Sequence, residues 1–127
     1  MSDIRIVGNN LPNIPWQDKP SNCDSVVWRY SENPIIGLNP TKKSARIFNS
    51  GVLPYKGKFV GIFRSDHKCI NPQLHVGWSN NGLDWDIEDE EIKWLDESGK
   101  PYQSKYSYGP RLVLIDGTYY IVFCTDF

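Results

Sequence analysis

One strand–turn–strand pattern occurs twice in this chain, and it constrains the fold more than any other feature. In residues 50–65, "SGVLPY" is followed by the turn "KG" and then by "KFVGIFRS". In residues 111–124, "RLVLID" and "TYYIVFC" are joined by the turn Asp116-Gly117. Short Gly-containing turns between β-rich runs are typical of antiparallel hairpins. Both stretches therefore predict β-hairpins, and "KGKFVGIF" and "DGTYYIVF" repeat one pattern.

Two more strands are predicted directly after the first hairpin. "QLHVGWS" (73–79) is separated by the turn "NNG" from "LDWDIE" (83–88), because Asn and Gly tolerate positive φ. Four short antiparallel strands in about 40 residues are the repeat unit of a β-propeller blade. We also expect a short strand at "VVWRY" (26–30). The whole chain, 1–127, is then one partial domain: an irregular N-terminal segment (1–46), a first blade (47–88), a solvated connection (89–107) and the start of a second blade (108–127).

The predicted fold is all-β, and the composition agrees with it. Aromatic residues make up 13% of the chain, which also has ten glycines and nine prolines. Such aromatic-rich, turn-rich sequences are usually all-β. A propeller blade buries its faces against neighbouring blades, so a blade and a half predicts the N-terminal part of a longer propeller. We expect its exposed faces to self-associate; a shorter, self-sufficient β-domain is the alternative.

Charge and cysteine usage exclude several classes of function. The net charge is −1, too small to hold a nucleic acid or a membrane surface. No signal segment or membrane span is evident in the sequence. The three cysteines are widely spaced and form no C-x-x-C, which predicts reduced thiols in a cytoplasmic protein and no metal site. No phosphate loop, H-E-x-x-H or nucleophile motif occurs.

Polar residues at the ends of the predicted strands are the candidates for binding. Strand-end polar groups beside apolar strands are typical of a ligand pocket, and planar, multidentate and aromatic side chains suit sugars. Alternatively, Arg64 and Asp66 form a surface ion pair and Asn49 caps a turn. The candidate residues are Asn49, Ser50, Arg64, Asp66, Tyr108 and Arg111.

Four stretches in one order resemble glycoside hydrolase family 130, which contains mannoside phosphorylases and some β-mannosidases. The resemblance implies a five-bladed β-propeller, of which this chain would be about one and a half blades at the N-terminus. The stretches cover nearly all of residues 29–127: "RYSENPIIGLNP" (29–40), "IFNSGVLPYKGKFVGIFRSDHK" (47–68), "LHVGWSNNGLDWDI" (74–87) and "YGPRLVLIDGTYYIVFCTDF" (108–127).

The resemblance also implies roles for the candidate residues. Tyr108 and Arg111 would flank a pocket in which four others hold the mannosyl unit at the cleaved bond: Asn49, Ser50, Arg64 and Asp66. The partner would be a β-mannoside oligosaccharide and the co-substrate inorganic phosphate, with no cofactor. Phosphate would attack from the opposite face and give mannose 1-phosphate with inversion.

Position 109 departs from the family pattern. The family motif reads Tyr-Asp-Pro-Arg, and its Asp is the general acid, whereas residues 108–111 read Tyr-Gly-Pro-Arg. A positioned acid contributes roughly 10²–10⁴-fold to the rate, or about 3–5 kcal/mol of barrier. We therefore expect the chain to be inactive as it stands. Because Pro110 follows, we expect Gly109 to be extended.

Three alternatives remain open at this point. A relative with Gly109 could bind mannosides without cleaving them, or Gly109 could be a substitution in an otherwise competent enzyme. The chain could also belong to a β-mannosidase of the same family. The phosphate site would be built by later blades, so this part of the sequence does not separate a phosphorylase from a hydrolase.

Overall fold

The structure, a computed structural model, describes residues 17–102 and 104–126, and every regular element in that part of the chain is a β-strand. The prediction of an all-β fold is therefore confirmed. The eight strands are β1 (Ser44–Tyr55), β2 (Lys58–His67), β3 (Pro72–Ser79), β4 (Asp86–Glu91), β5 (Trp94–Leu95), β6 (Pro101–Tyr102), β7 (Ser107–Ile115) and β8 (Thr118–Thr125).

The first four strands form one antiparallel sheet in the order β1-β2-β3-β4. The turn between β1 and β2 is the predicted Lys56-Gly57, with φ values of 46° and 77°. Two residues at positive φ make a type I′ turn, whose twist matches that of the flanking strands. The first predicted hairpin is thus confirmed together with its turn.

Two smaller sheets complete the described chain. Strands β7 and β8 pair antiparallel, and their turn, Asp116-Gly117, again has positive φ at both residues, 48° and 78°. The second predicted hairpin is confirmed. Strands β5 and β6 pair between 94 and 102, within the segment that the sequence predicted to be a solvated connection.

Several strand bounds differ from the prediction. β1 begins at Ser44 rather than at residue 50, because its first half pairs with β2 across a bulge. β4 lies at Asp86–Glu91 rather than 83–88, because the amide oxygen of Asn81 accepts hydrogen bonds from the backbone N–H groups at 83 and 84 and holds them in the turn. Residues 26–30 form no strand, and both valines there are exposed.

The core lies on β2 and its neighbours. β2 is the most buried strand because it pairs on both edges. Its Phe63 is 2% exposed and meets the ring of Trp85 edge-on, with centroids 4.9 Å apart. The buried apolar residues are Phe59, Val60, Ile62, Phe63, Leu74 and Ile87.

A glycine lets the second hairpin approach the first sheet closely. A Cβ on Gly51 would lie 2.8 Å from the backbone nitrogen of Leu112, so any side chain on Gly51 would push β7 away from β1. Tyr119 of β8 adds a hydrogen bond from its hydroxyl to the carbonyl of Pro54, at 3.0 Å. This contact brings the N-terminal end of β7 beside the end of β2.

Two further expectations concern cysteines and membranes. Cys23, Cys69 and Cys124 form no disulfide in the described chain. Within the described ranges, no helix is long and apolar enough to cross a membrane.

Candidate functional site

Arg64 lies at the centre of the candidate site. Its Nη2 lies 3.1 Å from Oδ1 of Asp66, and its Nε donates to the same oxygen at 3.2 Å. Residues two apart on a strand point to the same face, which explains why these side chains meet. They are 29% and 20% exposed, so the pair is partly shielded and still reachable. The ion pair between Arg64 and Asp66, which the sequence analysis gave as the alternative to sugar binding, is observed; their role in binding stays a prediction.

Two aromatic rings flank the Arg64 guanidinium. Its Cζ lies 4.8 Å from the ring centroid of Phe48 and 5.7 Å from that of Tyr108. Guanidinium groups are attracted to ring faces at such distances, so the rings limit the orientations open to the arginine. We call Phe48, Arg64, Asp66 and Tyr108 the Arg64 cluster; it joins β1 and β2 to the separate sheet of β7.

The cluster retains capacity to bind a ligand. The contacts of Arg64 with Asp66 use two of the five N–H donors that a guanidinium carries. Three N–H donors of Arg64 therefore remain for a ligand. Phe48 and Tyr108 are 48% and 38% exposed. The arrangement therefore offers directed donors, a carboxylate acceptor and exposed ring surface within one small area.

Asn49 and Ser50 lie at a bulge in β1. Ile47 pairs with Ser65 and Ser50 pairs with Phe63, so β1 uses one residue more than β2 over this interval. Bulges re-aim side chains and are common beside active sites. Both polar residues are exposed, and Asn49 lies within the strand rather than capping a turn.

Arg111 is exposed on β7, and it differs from Arg64 in its partners. Its Nη1 donates to the carbonyl of the adjacent Pro110 at 3.0 Å. The structure thus brings Arg64, Asp66 and Tyr108 into one cluster, while the Arg111 guanidinium contacts its own neighbouring backbone. Its role in a sugar pocket stays a prediction.

Gly109 lies in a second bulge, between Tyr108 and Arg111. Its φ is +66°, so the expectation of an extended conformation was wrong. The restriction before proline acts largely through the Cβ of the preceding residue, which glycine lacks, and bulges commonly place glycine in the left-handed region. A Cβ at this position would meet no atom within 4 Å. The backbone therefore leaves open space for a side chain at position 109.

One cavity lies beside the Arg64 cluster and shares Phe48 with it. It has a volume of about 500 Å³ and lies between residues 33–36 and the first sheet. Ser50 and Phe48 reach it, but most of its lining is apolar, including Ile36, Phe59 and Trp85. Apolar walls suit packing by other apolar groups, whereas sugars need converging polar groups. We therefore place the candidate sugar site at the Arg64 cluster.

A second set of charged side chains, Lys43, Glu90 and Glu91, lies outside the Arg64 cluster at the C-terminal end of β4. Hydrogen bonds to Glu90 and then to Glu91 raise the pKa of Lys43 above its ordinary value. The bond from Lys43 likewise lowers the pKa of the Glu91 carboxyl. Desolvation by burial, followed by the nearby His75, lowers the pKa of His67. Lys43 and Glu91 therefore favour each other's charged forms, and burial favours the neutral imidazole of His67.

Sequence reasoning missed Phe48. It lies in "RIFNS", one residue before Asn49 and before the predicted strand, which begins at residue 50. An exposed aromatic beside a predicted polar cluster was the signal that could have identified it, because aromatic faces are a common component of sugar sites.

The sequence of this chain is similar to known proteins over all the candidate residues. The sequence profile of a family described as β-1,4-mannooligosaccharide phosphorylase matches residues 9–127. A β-1,4-mannooligosaccharide phosphorylase from Ruminococcus albus is 44% identical over 96% of this chain. The chain spans 38% of the length of that relative. The profile match includes all six candidate residues and position 109.

Proposed function

Because this chain belongs to glycoside hydrolase family 130, the β-1,4-mannooligosaccharide phosphorylase family, we propose that its Arg64 cluster binds the mannosyl unit of a β-mannoside. In the proposed reaction inorganic phosphate receives the mannosyl group with inversion and gives mannose 1-phosphate. The chain would supply about one and a half blades of a five-bladed propeller, and the remaining blades would supply the phosphate-binding residues.

The single observation that supports this proposal is the way Arg64 is held. Neighbouring sugar hydroxyls both donate and accept hydrogen bonds, so they suit a guanidinium placed beside a carboxylate. The ion pair with Asp66 and the rings of Phe48 and Tyr108 fix the guanidinium before a ligand arrives. Such preorganisation reduces the entropy lost on binding. The exposed rings also offer an apolar face to the C–H side of a pyranose.

Gly109 determines what the bound sugar can undergo. A general acid must reach the glycosidic oxygen within hydrogen-bonding distance, directly or through one bridging group. Glycine has no side chain, so position 109 provides no proton. The proposed state of this chain is therefore binding of the mannosyl unit without efficient cleavage of the bond.

The same observation favours a second candidate, a non-catalytic mannoside-binding propeller. Tyr108 contacts Arg64 although its neighbour is Gly109, so the Arg64 cluster forms without a carboxylate at position 109. The β-mannosidase alternative has weaker support, because the curated relative is a phosphorylase. The two candidates that remain share the Arg64 cluster and differ in turnover.

Titration with β-1,4-mannotriose tests the shared step. We expect Arg64→Ala to weaken binding about 10- to 100-fold, because a hydrogen bond to a charged group contributes about 1.5–3 kcal/mol. Isothermal titration calorimetry of the chain and its variants gives the dissociation constants.

Lys42→Ala is the matched control. Lys42 also forms an ion pair, at 3.3 Å with Asp89, but it is 90% exposed and lies outside the Arg64 cluster. Its loss should leave mannotriose binding unchanged. Equal affinity in the wild type and Arg64→Ala would remove the proposal.

A further inference from the structure

Three side chains that can bind metal ions meet at one end of the first sheet. His67 ends β2, His75 lies in β3 and Glu91 ends β4, and His75 pairs directly with Glu91 across the strands. One potential ligand atom from each lies within 4.8 Å of the other two. Three adjacent strands thus direct two imidazoles and a carboxylate toward a common point.

A backbone contact fixes the tautomer of His75. Its Nδ1 lies 2.8 Å from the carbonyl oxygen of Glu88, which can only accept, so Nδ1 carries the proton. In the neutral ring Nε2 then presents a lone pair. A histidine that donates from one nitrogen to a backbone carbonyl and binds with the other is the usual arrangement at metal sites.

The lone pair of His75 points at His67. The two Nε2 atoms are 2.8 Å apart, and His75 is completely buried. A tetrahedral ion with bonds of about 2.0–2.1 Å separates two nitrogen ligands by about 3.3 Å. The rings would therefore need to part by about half an ångström, which small rotations of the less buried His67 would provide.

Glu91 can turn toward an ion while Lys43, its present partner, keeps a second carboxylate. Lys43 lies 3.0 Å from Glu91 and 2.6 Å from Glu90. Because the contact with Glu90 is the shorter, the ammonium keeps a carboxylate when Glu91 moves. The site would then combine two neutral imidazoles with one negative charge.

We propose that His67, His75 and Glu91 bind one Zn²⁺ ion that ties β2, β3 and β4 together. Imidazole ligands favour Zn²⁺ over Mg²⁺ or Ca²⁺, which prefer oxygen. A water molecule would complete the tetrahedron, since the cluster supplies three protein ligands. This site is separate from the Arg64 cluster and does not depend on the proposed function.

Titration of the metal-free chain with Zn²⁺ tests the proposal. We expect one equivalent to bind and to raise the unfolding temperature, because an ion that binds the folded state stabilises it. Loss of one ligand should weaken binding at least about 10- to 100-fold, the range seen even for outer partners of ligands. His67→Asn and Glu91→Gln are the variants, because both residues are partly exposed and each change leaves the strands intact.

Two controls identify the ligands. Asp86→Asn changes an exposed carboxylate at the opposite end of β4, away from Lys43 and Glu91, and should keep the wild-type affinity. Cys69→Ser removes an exposed thiol two residues after His67 and should also keep it. Absence of stoichiometric binding, or affinity unchanged in both His67→Asn and Glu91→Gln, would overturn the proposal and leave a direct hydrogen bond between the two histidines.

Discussion

At the scale of the residue, the proposed lack of turnover depends on Gly109. It lies in a bulge at φ +66° with no atom within 4 Å of a Cβ built there. Aspartate and asparagine enter this backbone region more readily than other side chains do. The conformation is therefore one that an aspartate could adopt at position 109, where the structure leaves space for its side chain.

Gly109→Asp should be tolerated by the fold. We expect a loss of about 1 kcal/mol in the free energy of unfolding, the low end of the cost of a non-glycine residue at positive φ, because aspartate enters this region more readily than most residues and meets no atom there. Gly51→Ala is the comparison, since its Cβ would lie 2.8 Å from the backbone nitrogen of Leu112 and overpacking costs about 1–3 kcal/mol. Urea unfolding of both variants measures the difference, and equal destabilisation would contradict the open space at Gly109.

The sequence predicted part of the candidate site. Arg64 and Asp66 could be paired because alternate residues of one strand share a face, and they do meet. Phe48 and the His67–His75 contact were missed, because both depend on which strands become neighbours and on the exact register. Pairwise distances across strands are not contained in local sequence patterns.

At the scale of the element, the hairpins were predictable because their turns are chemically specific. Gly57 and Gly117 both adopt positive φ, as a two-residue hairpin turn requires. The bounds of β1 and β4 were not predictable. A bulge lets β1 begin earlier along the chain, and the hydrogen bonds of Asn81 hold the following residues in a turn, so that β4 begins later. Turn residues act locally, whereas strand length depends on the partner strand.

A second glycine pair tests the packing of the first sheet. A Cβ on Gly77 would lie 2.7 Å from Cε2 of Phe63, whose ring is buried against Trp85 and has little room to move. We expect Gly77→Ala to destabilise the chain by about 1–3 kcal/mol.

Gly37→Ala serves as its control. A Cβ at Gly37 meets no atom within 4 Å, so its effect should stay within about 0.5 kcal/mol. Chemical unfolding followed by tryptophan fluorescence compares the two variants. Similar stability of both would show that Phe63 is packed less tightly than the structure indicates.

At the scale of the whole molecule, the outer surface of the second hairpin fits the proposed propeller. Val113 and Ile115 of β7 share one face with Tyr120 and Val122 of β8, and all four are at least 41% exposed. Contiguous exposed apolar residues commonly mark surfaces that pack against other chain segments. In the proposed enzyme a neighbouring blade would cover this face, and the R. albus relative contains additional chain beyond the 38% matched here.

The most direct test of the account is phosphorolysis by a chimera. This chain would replace the matching part of the R. albus relative, once as it stands and once with Gly109→Asp. Because a positioned acid contributes roughly 10²–10⁴-fold, the Gly109→Asp chimera should release mannose 1-phosphate from β-1,4-mannobiose faster by that factor, with mannotriose binding equal in the two. Equal rates of release would contradict the account, since position 109 would then not be where the acid acts.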